Sequence, residues 1–197
     1  MRCFTIDLNN LNDNIITQRW KERYATLSEE TKEKLSAFKK MNPSEYQLQV
    51  IKRKRIYPEI GDIFELKTRH NVVIKGVVIN NHIDNINGND LILIFIFKME
   101  IDILECLQNG NVYDSLLCMP KIVGSEYWSK GYFFNISHYN YLPDFEYGFY
   151  SVGKGVFCDE YGNQIPNEPH LLGIYGVTTI IGISQLVTKE LIIAGIE

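Results

Sequence analysis

The chain has 197 residues, of which 45% are hydrophobic, and its net charge is −4. That much apolar material can form a core that needs no disulfide or metal to stabilise it. The longest apolar run, residues 91–97, is far too short to span a bilayer. The amino terminus also lacks the apolar segment of a signal peptide. We therefore predict a cytoplasmic protein with no membrane association.

The charge is divided unevenly along the chain. Residues 1–57 contain 12 Lys and Arg against 7 Asp and Glu, a net charge of +5, whereas residues 58–197 contain 8 against 17, a net charge of −9. Phosphate contacts need positive charge, so the acidic part argues against a nucleic-acid partner. Complementary potentials would suit a basic protein partner. Ordinary solubilising charge is the alternative explanation.

The four cysteines are too scattered to indicate a disulfide framework or a zinc site, because no two of them form a C-x-x-C pair. We predict reduced, mostly buried thiols and neither a metal nor a cofactor. The cysteines are Cys3, Cys106, Cys118 and Cys158.

Three helices are predicted in the first quarter of the chain, after a candidate short strand over residues 3–8. A stripe of apolar residues at helical spacing predicts an amphipathic helix over residues 11–24. Residues 26–29 have the form of a capping box and predict a second helix, which ends near Met41. The same kind of signal predicts a third helix over residues 44–51.

Residues 52–55, Lys-Arg-Lys-Arg, are the one dense basic cluster of the sequence. A solvated linker after a helix end explains the cluster, and a phosphate or nucleic-acid contact is the alternative. The proline at position 58 prevents a helix from continuing through this point. We predict a helical N-terminal segment over residues 1–56 and a β-rich domain over residues 57–197.

A turn at Gly61 and Asp62 opens the β-rich part. Apolar residues on both faces predict a central buried strand, and strict alternation predicts a half-exposed one. The predicted elements are hairpin strands over residues 62–68 and 72–80, a polar loop over 80–90, a buried strand over 91–97 and an alternating strand over 100–105.

Shorter strands and a closing helix complete the prediction. The strands are predicted over residues 116–123, 131–139, 147–150 and 155–158, and the helix over residues 185–193 with Ser184 as its N-cap. The predicted fold class is α+β. A helical N-terminal segment precedes a bent antiparallel β-sheet or an SH3-like partly open barrel, and a C-terminal helix closes the structure.

A search for catalytic chemistry finds no active site. His70, His82 and His170 lie in predicted turns, which is typical of surface histidines. Ser137 and His138 are neighbours in a predicted strand, so their side chains point to opposite faces and cannot act together directly. The paired Asp and Glu residues are predicted to lie on solvent-exposed faces, and the glycines match no phosphate-binding loop. We predict that the protein is not an enzyme.

Aromatic and acidic residues are concentrated in residues 127–161. Aromatic side chains on strands fill cores, and tyrosines mixed with acids also form protein-binding surfaces. Composition does not choose between core and interface for the cluster as a whole. The residues predicted to contact a partner are Tyr139, Tyr141, Asp144, Glu146, Tyr147, Asp159, Glu160 and Tyr161.

The start of the β-rich part resembles a known family. Residues 60–64 (Ile-Gly-Asp-Ile-Phe), with basic residues just upstream and a second strand containing residues 75–78 (Lys-Gly-Val-Val), are similar to the immunity protein 26 family. These are β-rich immunity proteins of bacterial polymorphic toxin systems. The resemblance covers the layout of residues 52–193, and residues 10–51 are an addition to the usual compact form. It implies binding and neutralisation of a cognate toxin domain, without catalysis.

Two alternatives of other classes stay open. A Gly-Asp strand start also occurs in SH3-like barrels, including endoribonuclease toxins, so the chain could be a nucleic-acid-binding protein or an endoribonuclease. The charge distribution argues against this alternative, because a nuclease needs a basic groove. The other alternative is an unrelated structural or adaptor domain. If the resemblance holds, an acidic immunity domain predicts a basic toxin as partner, such as a nuclease.

Overall fold

The computed structural model describes residues 14–197, and the strand predicted over residues 3–8 lies outside them. The described part folds into six helices and eight strands. The helices are α1 (Ile15–Thr26), α2 (Glu29–Phe38), α3 (Pro43–Tyr46), α4 (Ile103–Asn109), α5 (Glu126–Ser129) and α6 (Ile180–Ile193). The strands are β1 (Asp62–Lys67), β2 (Val73–Asn85), β3 (Gly88–Phe97), β4 (Leu116–Val123), β5 (Phe133–His138), β6 (Tyr147–Ser151), β7 (Val156–Cys158) and β8 (Leu171–Ile174).

The strands form two open sheets. The larger sheet is antiparallel, with the strand order β4-β3-β2-β1-β5. The smaller sheet has the order β7-β6-β8, and in it β6 and β8 run parallel. The edge strands of the larger sheet, β4 and β5, do not pair with each other, so this sheet does not close into a barrel. The architecture belongs to the predicted α+β class. It has an open sheet rather than a barrel, and a C-terminal helix, α6, completes the fold.

The larger sheet carries a core on each face, because successive residues of a strand point to opposite sides. Phe64 and Leu66 of β1 belong to the cluster that α6 covers through Val187 and Leu191. Ile63 points to the opposite face, where α4 covers a second cluster. The central buried strand is confirmed, since every residue of 91–97 is at most 6% exposed.

The N-terminal helices pack on α6. Leu35 and Phe38 of α2 form an apolar cluster with Ile192. The Arg23 guanidinium of α1 donates two hydrogen bonds to the Glu190 carboxylate, at 2.9 and 2.6 Å. A bidentate pair of this kind fixes both distance and orientation, so α1 is held to α6 by a directional contact as well as by apolar packing.

The third helix is shorter than predicted. α3 ends at Tyr46, and the chain then becomes extended and buries Leu48. The Leu48 N–H donates to Ser184 Oγ at 3.1 Å, and the Gln49 N–H donates to the Lys67 carbonyl at 2.8 Å. The extended conformation is favoured over a helix because its backbone N–H groups form hydrogen bonds with both α6 and β1.

The polar loop predicted over residues 80–90 is wrong, because this segment is the end of a long hairpin. β2 continues to Asn85 and β3 starts at Gly88. Ile83 is fully buried and pairs with Leu91 across the hairpin. The exposed polar residues of this segment belong to paired strands and point their side chains to solvent. Their polarity therefore suggested a loop where the backbone forms an ordinary hairpin.

The closing helix starts earlier than predicted. α6 begins at Ile180 and is capped by Thr179, whose Oγ1 accepts from the Gly182 N–H at 3.1 Å. Ser184 is therefore not the N-cap. It is fully buried within the helix, where its hydroxyl donates to the Ile180 carbonyl at 2.8 Å. Accepting a hydrogen bond from the extended segment before β1 gives this serine a structural role.

Alkaline pH is expected to destabilise the fold through Cys118. Burial raises the pKa of this thiol to about 12, above the ordinary value of about 8.5. The folded state therefore keeps the proton that the unfolded state loses, and stability falls as pH rises between the two values. From this group we expect a loss of about 2–3 kcal/mol between pH 8 and pH 10.5. Urea unfolding at both pH values should show a smaller loss for Cys118→Ala; an identical loss would contradict the assignment.

Candidate protein-binding surface

The strand predicted over residues 100–105 is wrong, because α4 begins there. Asp102 caps the helix, and its carboxylate accepts from the Glu105 N–H at 3.2 Å. Gly110 ends the helix at φ 66°, a left-handed conformation that glycine adopts without strain. The buried side of α4 covers the second core cluster. Its other side is left to solvent.

The segment over residues 139–146, which connects β5 to β6, lies against α4. Phe145 packs on Phe95 of the sheet, with ring centroids 5.3 Å apart. Pro143 lies beside the end of α4, since a Cβ atom added to Gly110 would be 3.9 Å from its Cγ. Apolar contacts with the sheet and with the end of α4 therefore hold this segment next to α4, and the segment and the helix form one surface.

This surface is acidic. Residues 99–120 contain four Asp and Glu and no Lys or Arg, and residues 131–153 contain two Asp and Glu and no Lys or Arg. All six of these carboxylates are exposed, and the surface defined next includes four of them. We use the term acidic face for six exposed side chains of α4 and its neighbouring segments: Glu100, Leu104, Glu105, Tyr141, Asp144 and Glu146.

Apolar side chains are exposed among these acids. Tyr141 is 81% exposed and Leu104 is 46% exposed. A groove of about 510 Å³ lies beside Leu104 and is also lined by Val73 and Ile136, which are 45% and 41% exposed. Two exposed lysines, Lys75 and Lys98, also line this groove, and they lie outside the two acidic segments. Exposed aromatic and aliphatic groups with charges around them are typical of protein-binding surfaces.

The structure separates the eight predicted contact residues into two groups. The first group lies beside α4, with Tyr139 half-buried and the other three members exposed: Tyr139, Tyr141, Asp144 and Glu146. The second group lies at the start of β6 and in the turn after β7: Tyr147, Asp159, Glu160 and Tyr161. Contact with a partner stays a prediction for both groups.

Glu160 belongs to the interior of the fold. Its side chain is 8% exposed and accepts hydrogen bonds from the Tyr147 hydroxyl at 2.7 Å and from Asn80 Nδ2 at 2.9 Å. Burial, and then the bond to Glu160, raises the pKa of Tyr147. The three side chains connect β2, β6 and the turn after β7, so this carboxylate is engaged within the protein.

Asp159 shapes the turn in which it lies. Its carboxylate accepts from the N–H groups of Tyr161 and Asn163, at 3.0 and 2.8 Å, and from Asn163 Nδ2 at 2.9 Å. An aspartate that bonds the backbone two residues ahead is a common turn device. Tyr161 is 47% exposed, so it is the member of the second group most open to a partner.

A carboxylate–imidazole pair lies at the start of β1. His138 Nδ1 is 2.9 Å from Asp62 Oδ1, and Asp62 also accepts from Asn135 Nδ2 at 2.5 Å and from the Glu59 N–H at 2.9 Å. Asn135 in turn accepts from Trp128 Nε1 at 2.6 Å. These bonds join β1, β5 and α5, and through the bond from Glu59 the Asp62 side chain caps the turn that precedes β1. We interpret the pair as structural.

The basic residues 52–55 are exposed and extended along α5 and β5. The Lys54 N–H donates to the Trp128 carbonyl at 3.4 Å, and Lys52 Nζ lies 5.8 Å from the centre of the Phe134 ring. The cluster is thus attached to the sheet through its backbone while its charges face solvent. The domain boundary predicted just after it stays a prediction.

Sequence reasoning missed the half of the acidic face that α4 contributes, which includes Glu105. The available signal was an aspartate at 102 with a glutamate three residues later, the pattern of a helix start, and a glycine at 110 that suits a helix end. The alternation of acidic and apolar residues that begins at position 100 indicated a strand instead, and the prediction followed that pattern.

Neither a metal site nor a relative identifies the chemistry of this chain. Within residues 14–197, no three His, Cys, Asp or Glu side chains are grouped so that they could hold a metal ion. In the same range no helix is long and apolar enough to cross a membrane. No protein-family model matches the chain, and comparisons with curated proteins and with solved structures found no significant match.

Proposed function

We propose that this chain is a non-enzymatic immunity protein that binds a cognate bacterial toxin domain and blocks its active site. The acidic face carries the proposal, because it combines four exposed carboxylates with exposed apolar side chains on segments that contain no Lys or Arg. The resemblance of residues 60–64 to the immunity protein 26 family supports the same function.

Charge complementarity sets the kind of partner. A basic surface, such as the substrate groove of a nuclease, is attracted to the acidic face, and this attraction raises the association rate. Tyr141 supplies a large amphipathic side chain that can be buried against the partner. Steric exclusion of the substrate is sufficient for neutralisation, so the mechanism requires no catalytic group from this chain.

Charge reversal on the acidic face is expected to weaken toxin binding. The double variant Asp144→Lys with Glu146→Lys replaces two attractive charges by two repulsive ones, and we expect a loss of about 10- to 100-fold in affinity, mainly through slower association. Surface plasmon resonance with the toxin domain encoded by the neighbouring reading frame, at low and high salt, measures this loss. Survival of cells that co-express both proteins provides a second readout.

The matched control is Glu30→Lys with Glu33→Lys on α2, which changes the net charge by the same amount at exposed positions away from the acidic face. This pair is expected to leave the affinity within about twofold. An equal loss for both pairs would place the interface elsewhere. Degradation of RNA by the purified protein would instead favour the endoribonuclease alternative and contradict the proposal.

A further inference from the structure

A cavity of about 560 Å³ lies between the N-terminal helices, α6 and the segment that connects β8 to α6. This volume is in the range of small-molecule sites, about 300–1,000 Å³. Three lysines from three different elements line it. They are Lys39 at the end of α2, Lys121 of β4 and Lys189 of α6.

These three lysines have no anionic partner in the cavity. No Asp or Glu is among its lining residues, and within residues 14–197 none of the three lysines takes part in an ion pair. The neighbouring Glu190 is engaged by Arg23 through two hydrogen bonds. The cavity therefore concentrates positive charge in a chain whose net charge is −4.

The pKa of Lys189 is lowered. Burial is the main cause; among the neighbouring charges Glu190 has the largest effect and raises the pKa, whereas Arg23 and Lys121 lower it. Lys189 Nζ lies 3.7 Å from the centre of the Trp20 ring, a cation–π contact that holds the ammonium group at the cavity wall. An anion in the cavity would relieve the repulsion among these cations and favour the charged form of Lys189.

The rest of the cavity wall is mainly apolar. At Gly176 the backbone borders open space, since no atom lies within 4 Å of the position that a Cβ would take. A wall of this kind accommodates an apolar body, and the lysines that line the same cavity select a negative group. The apolar lining residues are Trp20, Leu35, Phe38, Ile174, Val177 and Leu186.

We propose that this cavity binds a small aromatic anion, such as a nucleotide or another aryl phosphate. The anionic group lies among the three lysines, and the aromatic body lies against the apolar wall. Such a ligand connects α2, β4 and α6. The site is built from other elements than the acidic face, so it is independent of the proposed toxin contact.

A pair of dyes that differ in one charged group tests this proposal. The full chain is titrated with 8-anilinonaphthalene-1-sulfonate and with its uncharged analogue N-phenyl-1-naphthylamine. We expect Lys39→Gln with Lys121→Gln to weaken the sulfonate dye about tenfold, as the loss of charge-assisted contacts predicts, and to leave the uncharged dye within about twofold. The control pair Lys130→Gln with Lys154→Gln removes the same charge at exposed positions outside the cavity and should change neither affinity.

Tryptophan fluorescence locates the bound dye. Of the two tryptophans, Trp20 lines the cavity and Trp128 is 1% exposed. Most of the quenching should therefore be lost in Trp20→Phe, and energy transfer from Trp128 accounts for the remainder. Three results would overturn the proposal: equal weakening by both lysine pairs, parallel weakening of the uncharged dye, or quenching whose extent is unchanged in Trp20→Phe. Retained binding of the uncharged dye by the Lys39 and Lys121 variant shows that its cavity is still formed.

Discussion

Replacement of Phe64 by alanine is expected to lower the free energy of unfolding by about 3–5 kcal/mol. The side chain is fully buried, stacks on Phe133 at 4.4 Å and meets Trp128 edge-on at 5.5 Å. Its ring also fills the space above Gly76, where an added Cβ would come within 2.5 Å of it. Truncation leaves a void that these neighbours cannot fill, because each is fixed by its own packing.

Urea unfolding monitored by circular dichroism measures this loss without relying on Trp128, which contacts Phe64. The matched control is Tyr141→Ala, which also replaces an aromatic side chain but at a position that is 81% exposed. It should change the free energy of unfolding by no more than about 0.5 kcal/mol. Similar stabilities for the two variants would show that Phe64 is not central to the core.

Replacement of Glu160 by alanine is expected to lower the free energy of unfolding by about 1–3 kcal/mol, because two half-buried donors lose a buried carboxylate acceptor. The Tyr147 hydroxyl and Asn80 Nδ2 both point at this carboxylate. Glu160→Gln keeps an acceptor oxygen in the same place and should lose less than Glu160→Ala. The experiment is thermal unfolding at pH 7 of both variants beside the unchanged protein.

Glu146→Ala is the matched control for this second prediction, since Glu146 is exposed and lies on the acidic face. Its effect on stability should stay within about 0.5 kcal/mol. Equal stabilities for Glu160→Ala and Glu146→Ala would mean that water replaces the buried carboxylate at no cost. The comparison also shows why a binding test should use Glu146 and leave Glu160 unchanged.

Strands with local apolar patterns were predictable. The prediction for residues 116–123 coincides with β4, and the starts of β1 and β6 were placed correctly. Period-two alternation and continuous apolar runs belong to the strand itself, so they are visible without knowledge of its neighbours. The open α+β class followed from these strands and from the helical patterns at the two ends.

Features that depend on distant partners could not be predicted. The polar arm of the β2–β3 hairpin looks like a loop until Ile83 is paired with Leu91. Ser184 looks like a helix cap until its acceptor role for the Leu48 N–H is known. Glu160 looks like a surface acid because its partners come from other strands. Each of these roles depends on a contact with a residue elsewhere in the chain, so the local sequence does not reveal it.

The dependence of the first helices on the last one has a consequence for synthesis on the ribosome. Leu35 and Phe38 are buried against Ile192, and Arg23 is paired with Glu190. At about 5–20 residues per second, the ribosome takes about 7–28 s to reach α6 after it has made α2. During that interval the apolar sides of the early helices and one face of the sheet stay uncovered. We therefore expect the nascent chain to bind chaperones until α6 emerges, and messages truncated before α6 to yield protein that is rapidly degraded.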